Sequence, residues 1–257
     1  MVKNYKIFTT AAVITAIGIL SVYLLANSML KPVSSDEQMY CTGAYLISKG
    51  LMIYRDFSYV AQLPCHPLLC AAIYKLTDTT YYLLTARLAS VVFDILTVIC
   101  IFSIISRIFR PYCTDGVVLA IAGAAMFVFN PYSSYLCGLA WNHDMVLLCI
   151  ILSFRIFLEP QRTQKPQRLN LFKMDLRIFL AASLLTIAVW TRATTFFVMT
   201  VFLAMTLINT ESFRHGLTRI NTISGKWISA LAGITLCSIW PAWIALKSSK
   251  AFLINIF

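Results

Sequence analysis

The sequence predicts an all-α polytopic membrane protein with about seven membrane segments, two of them short. Three observations predict it. Hydrophobic residues make up 60% of the 257, and only 12% are charged. A soluble domain carries about a quarter charged residues, so the surface of this chain is solvated by lipid. The apolar residues fall into long runs, and the basic residues fall between them.

The first run covers residues 8–29, about the length that crosses a bilayer. Lys3 and Lys6 precede it, and no small-x-small cleavage site follows. It reads as an uncleaved first span with the N-terminus cytoplasmic. Residues 30–80 then form an external segment. Within it, residues 34–67 are the longest polar interruption of the chain and hold three of its ten acidic residues, Asp36, Glu37 and Asp56. Ser35 is expected to cap a surface helix with Asp36 and Glu37 in its first turn. Met39, Ala44, Leu46 and Ile47 give that helix an apolar face, and Gly50 ends it. Residues 51–60 read as extended or looped. Pro64 and Pro67 open a short apolar helix over 68–76, too short to span, which reads as interfacial or re-entrant.

Span two covers 82–108, with Arg107 and Arg110 at its inner end and Asp94 near its middle. Span three covers 116–129 and is closed by the turn signal Asn130-Pro131. Span four covers 143–158. The basic loop 159–177 that follows belongs in the cytoplasm. Residues 178–207 are a long apolar stretch broken at Trp190-Thr191-Arg192. Basic residues at both ends favour a broken hairpin, with arms of roughly 21 Å that stop short of the far surface. A second basic loop, 209–226, leads to a last span over 227–246, where Trp240 and Trp243 suit an interfacial belt. The whole reads as one transmembrane domain, residues 1–257.

The net charge of +11 is explained by positive-inside topology. Nothing resembles a nucleic-acid-binding face. The eight cysteines form no CxxC pair and no Cys/His metal spacing. Cys41 and Cys65 share the external segment, where a disulfide is conceivable in an oxidising compartment.

Asp36-Glu37 has two readings. An acidic pair in a helix's first turn stabilises it by about 0.3–1 kcal/mol. The same pair at a membrane surface suits a general base that activates an acceptor hydroxyl or amine. Arg55-Asp56 is either a local ion pair or, through Arg55, a ligand for phosphate. His66 is structural or a substrate contact. Asp144 either begins the helix of span four, capping it with Asn142, or orients a substrate. With His143 it offers only two metal ligands, too few for a site. Asp94 and Arg192 are ionisable groups in apolar segments and are expected to pair or to line a phosphate path.

The order of elements resembles a known family. A first span is followed by SSDEQMYCTGAYLISKG, MIYRDF, the proline-flanked LPCHPLLCAAIYKL and then TARLASVVFDILTVICIFSIISRIF. NHDMVLLCIILSFRIF and LTIAVWTRATTFFVMTVFLAM come later. This resembles the C-type (GT-C) membrane glycosyltransferases of the protein-mannosyltransferase and aminoarabinose-transferase group, over roughly residues 8–210. The resemblance implies transfer of a sugar from a polyprenyl- or dolichyl-phosphate-linked donor, with inversion, to a lipid, glycan or protein acceptor at the outer face. It implies Asp36 as the base with Glu37 beside it, and it puts Asp144 where an external-face acid recurs; Arg55, Asp56, His66 and Arg192 join these as candidate substrate contacts on their own chemistry. The family's paired-proline element aligns with Gln62-Leu63-Pro64 or with His66-Pro67. Where the family carries a proline after Thr191-Arg192, this chain has Ala193. Members are usually longer, so the chain is expected to be the N-terminal part of such an enzyme. Its partners are then the lipid-linked donor and membrane lipids, not nucleic acid, with no cofactor and no supported metal. A bacterial inner membrane is the expected location. The rival readings are a transporter or flippase-like carrier, or a non-catalytic truncated membrane protein. Carriers place acids near the midplane of several helices, whereas here the largest group of acids is in one external loop and only Asp94 lies deep in a span.

Overall fold

The structure is a computed structural model that describes residues 2–59, 62–109, 116–158, 175–208 and 216–256. The basic residues Arg110, Arg162, Lys165, Arg168, Lys173 and Arg214, on which part of the topology reading rests, lie outside the described residues. The described residues are helical, with no strand among them and one isolated bridge between Ile53 and Phe57.

The helices are α1 (Val2–Leu30), α2 (Ser35–Ser48), α3 (Cys65–Thr77), α4 (Tyr82–Phe109), α5 (Gly116–Phe129) and α6 (Pro131–Leu136). Then follow α7 (His143–Phe157), α8 (Leu176–Val189), α9 (Phe196–Ile208), α10 (Gly216–Lys247) and α11 (Ser249–Ile256). Among the described residues, three segments are long and apolar enough to cross a membrane: Phe8–Leu30, Tyr82–Phe109 and Gly225–Lys247. Each exceeds the roughly 20 helical residues that a hydrocarbon core of about 30 Å requires. Gly116–Phe129, Leu176–Val189 and Ala193–Thr206 are apolar but shorter.

α4 has the burial pattern of a helix that faces lipid. Arg87, Ser90, Asp94 and Thr97, spaced along one helical face, are buried. Leu84, Leu88, Val92, Leu96 and Ile99, on the opposite side, are exposed. A helix in water would be the reverse. In a bilayer the ionisable groups turn inward and the leucines face the acyl chains.

The chain divides into two compact units, Met1–Met52 with His66–Ile151, and Ile53–Cys65 with Leu152–Phe257. In the first, α1, α4 and α5 enclose a core of Leu20, Leu24, Val98, Ala124, Val128 and Cys137. A second cluster joins α2, α3, α4 and the turn before α7 through Ala44, Cys70, Ala71, Tyr74, Ala86 and Ala140, of which all but Tyr74 are small residues that let helices approach closely.

In the second unit, α8 packs against α10. A Cβ on Gly233 would stand 2.6 Å from the Phe179 carbonyl and 2.8 Å from Ser183 Oγ, so only glycine fits this crossing. Asp175 caps α8 by accepting from Arg177 N, and its own N–H donates to Ser229 Oγ at 2.6 Å. The expected break at Trp190-Thr191-Arg192 is present: α8 ends at Val189 and a 3-10 turn, Ala193–Thr195, leads into α9. Trp190 Nε1–H donates to Ser238 Oγ at 3.0 Å.

Two local expectations are corrected. The cap of α2 is Ser34, not Ser35. Ser34-Ser35-Asp36-Glu37 is a capping box in which Ser34 Oγ accepts from Glu37 N and Glu37 accepts from Ser34 N. The S-x-x-E spacing satisfies two orphan amides at once, which a Ser35 cap would not. The second basic loop is also shorter than expected, because α10 starts at Gly216 and absorbs most of it. Apart from Gly225, nothing in TISGKW interrupts a helix there, so the last span extends backwards. Pro241 lies inside α10, where the lost N–H is tolerated in a membrane setting.

The end of α2 follows the sequence reading. Gly50 has φ +92, its N–H donates to the Ile47 carbonyl, and the Leu51 N–H reaches back to the Leu46 carbonyl. This is a Schellman motif, and its left-handed residue favours glycine.

Candidate functional site

Asp36 and Glu37 adjoin in sequence but have opposite surroundings. Asp36 is exposed in the first turn of α2, and Glu37 is fully buried. Glu37 Oε1 accepts from Arg87 Nε and from Ala140 N, both at 2.8 Å. Its Oε2 accepts from Arg87 Nη2 at 2.7 Å and from Ser34 N at 3.1 Å. A carboxylate offers about four lone-pair directions, so none remains for a substrate proton. Burial alone would raise the Glu37 carboxyl. The Arg87 guanidinium and the Ala140 and Ser34 amides outweigh it and hold the group below its ordinary value.

Arg87 is used as fully. Beyond Glu37, its Nη1 donates to the Ser28 and Lys31 carbonyls at 2.9 and 3.0 Å, and Nη2 to Pro32 at 3.2 Å. One side chain of α4 therefore ties down the end of α1, the 31–34 connection and, through Glu37, the start of α2. The planar fork of arginine allows this, and a lysine could not reproduce it.

The turn after α6 joins these groups to a second cluster. Ser28 Oγ donates to the Gly138 carbonyl, and Gly138 N donates to Asp144 Oδ2 at 3.0 Å. Gly138 has φ +75, and a Cβ there would stand 2.5 Å from the Ser28 Cβ, so the turn can be made only by glycine. Asp144, in the first turn of α7, thus reaches back towards this loop with Oδ2. Beside it are Asp94 of α4 and Cys137, and all three are buried.

His66, near the start of α3, is buried, with its ring edge-on to Tyr40 at 5.2 Å and Nε2 3.6 Å from Cys70 Sγ. Burial, then the neighbouring His143, pushes its pKa down to about 4, so it is neutral at pH 7. Arg55 and Asp56 belong to the second unit and form an exposed two-pronged ion pair at 2.8 and 2.9 Å. Arg192, also in that unit, is exposed and precedes the 3-10 turn. Asp94, its suggested partner, has Cys137 and Asp144 as its ionisable neighbours in the first unit. Cys41 and Cys65 do not form a disulfide.

Sequence reasoning missed Arg87 and Cys137 as site members. A signal for Arg87 existed in the spacing Arg87, Ser90, Asp94, Thr97, one polar face on an otherwise apolar span. Cys137 had no local signal, because only the turn at Gly138 brings it beside Asp94. Comparison with family models, with curated proteins and with solved structures finds no match to this chain.

Proposed function

We propose that the chain is a C-type membrane glycosyltransferase that moves a sugar from a polyprenyl- or dolichyl-phosphate donor to a lipid, glycan or protein acceptor at the outer membrane face. Asp36 is the general base. It takes the proton from the acceptor hydroxyl as the oxygen attacks the anomeric carbon, and the donor's phosphate leaves with its lipid. The observation that carries the reading is the contrast within the acidic pair. Glu37 is committed to Arg87, which leaves Asp36 exposed on a helix fixed at the end of a membrane-length segment. Arg55, exposed at 59% of its side chain, is the candidate ligand for donor phosphate, exchanging its bond to Asp56 for the phosphate oxygens. The proposal includes seven membrane segments with a broken hairpin over 178–207, a cytoplasmic N-terminus and a bacterial inner membrane.

The test uses membranes containing the full chain and a panel of lipid-phosphate sugar donors. Asp36→Asn is expected to lower transfer by about 10²–10⁴-fold, the usual contribution of a general base, with an unchanged thermal midpoint. Turnover equal to wild type in that variant defeats the assignment.

A carrier is the second reading, favoured by the burial of Asp94 within a membrane-length helix. Uptake into proteoliposomes that depends on Asp94 and not on Asp36 would support it over the transferase.

A further inference from the structure

α4, the turn after α6 and the start of α7 bring three side chains together in the first unit. The ligand atoms of Asp94, Cys137 and Asp144 all lie within 4.8 Å of one another. Asp94 is 0% exposed, and neither of its carboxylate oxygens has a hydrogen-bond partner. A buried carboxylate with no partner is unfavourable in its ionised form, a cost that a bound cation offsets as protonation does. Asp144 gives one oxygen to the Gly138 N–H, which leaves the other for a ligand. Lys31 Nζ donates to the Cys137 carbonyl at 2.6 Å and to the Tyr135 carbonyl at 2.9 Å, fixing the segment that carries the thiol.

We propose that Asp94, Cys137 and Asp144 form a binding site for one divalent transition-metal ion of the zinc class. The donor set selects the metal. A thiolate is a poor ligand for magnesium or calcium, whereas zinc accepts sulfur and carboxylate oxygen together. Three protein ligands leave a fourth position open. Charge agrees with this assignment. Two carboxylates and a thiolate beside the Lys31 ammonium leave two negative charges, which a divalent cation cancels. With Zn–S of about 2.3 Å and Zn–O of about 2.0–2.2 Å, tetrahedral ligand atoms stand roughly 3.5 Å apart. Closing from 4.8 Å or less takes about 1 Å of side-chain movement. The Gly138 N–H orients Asp144 as outer-shell donors orient metal ligands. The site excludes Asp36 and does not depend on the transferase reading.

The full chain, purified in detergent and stripped with a chelator, is titrated with Zn²⁺ alone and with Co²⁺ alone. One equivalent of each is expected to bind, and the cobalt form should show a thiolate-to-metal charge-transfer absorption. Cys137→Ser should abolish that absorption and weaken zinc binding at least tenfold. Asp94→Asn should weaken binding by a similar factor. Cys237→Ser, on α10, should leave both unchanged. No stoichiometric binding by the wild-type chain, or an absorption that survives Cys137→Ser, overturns the site. If Asp94→Asn fails to fold, the cobalt absorption in Cys137→Ser decides.

Discussion

In the pair Asp36-Glu37, Glu37 carries the structural role: it closes the capping box of α2 and is the buried partner of Arg87. Glu37 is held by a guanidinium fifty positions away, and removing either partner leaves a buried, uncompensated charge. Arg87→Met is therefore expected to destabilise by about 3–5 kcal/mol, read as a fall in thermal midpoint in detergent. Asp36→Asn should leave the midpoint within about 0.5 kcal/mol, as surface changes do. If the two variants melt alike, Glu37 is not the anchor. Acid should act through the same ion pair. The Glu37 carboxyl is depressed in the folded state, so its stabilisation is complete above the unfolded value, about 4.3, and disappears as pH falls through the folded value. His66 acts at milder pH. The unfolded imidazole takes a proton near 6.5, but the buried one only near 4, so stability falls as pH drops through that window. The loss is about 3 kcal/mol at most. His66→Gln should flatten the midpoint between pH 7 and 5, and an unchanged slope there would show that His66 is not the source. The capping box is legible from S-x-x-E alone, which marks Ser34 as the cap. The Glu37–Arg87 pair could not be read locally, because no periodicity encodes a partner on another helix.

Among the elements, the best-read helices are those whose ends carry their own chemistry. α2 has a capping box at one end and a Schellman glycine at the other, and its limits lie within a residue or so of the expected ones. The break before α9 was legible because Trp190-Thr191-Arg192 interrupts an apolar run. α10 starts earlier than its apolar run does, because basic residues mark topology but do not stop a helix. Its pairing with α8 depends on Gly233. A side chain there must displace the Phe179 backbone carbonyl and Ser183, which helix geometry resists. Gly233→Leu is expected to push α8 and α10 apart and cost about 1–3 kcal/mol, as overpacking does. Gly18→Leu, where an added Cβ meets nothing within 4 Å, is the matched control on α1. Equal proteolytic resistance of the two variants would show that the close crossing contributes nothing.

For the molecule as a whole, composition gave the solvent more surely than it gave the number of crossings. The buried polar face and exposed leucines of α4 suit lipid outside, yet among the described residues length and apolarity mark three segments. Helices of about 14 residues reach roughly 21 Å, so hydropathy alone cannot say which of them traverse the bilayer. The orientation proposed for the chain rests on charge asymmetry, since basic loops stay on the cytoplasmic side. That argument predicts a labelling pattern. Lys49 is exposed at the C-cap of α2, so Lys49→Cys should react with a membrane-impermeant maleimide added to intact cells. A cysteine introduced at Gln164, within the basic stretch that follows α7, should react only after the membrane is permeabilised. Parent protein treated in parallel corrects for the native thiols. The same experiment bears on the base, because Asp36 lies in the first turn of the helix that Lys49 caps. A helix of 14 residues is about 21 Å long and cannot hold its two ends on opposite faces of a bilayer. Labelling of Lys49→Cys only after permeabilisation would put Asp36 on the cytoplasmic side, away from an acceptor at the outer face, and would remove both the orientation and the transferase chemistry proposed for it.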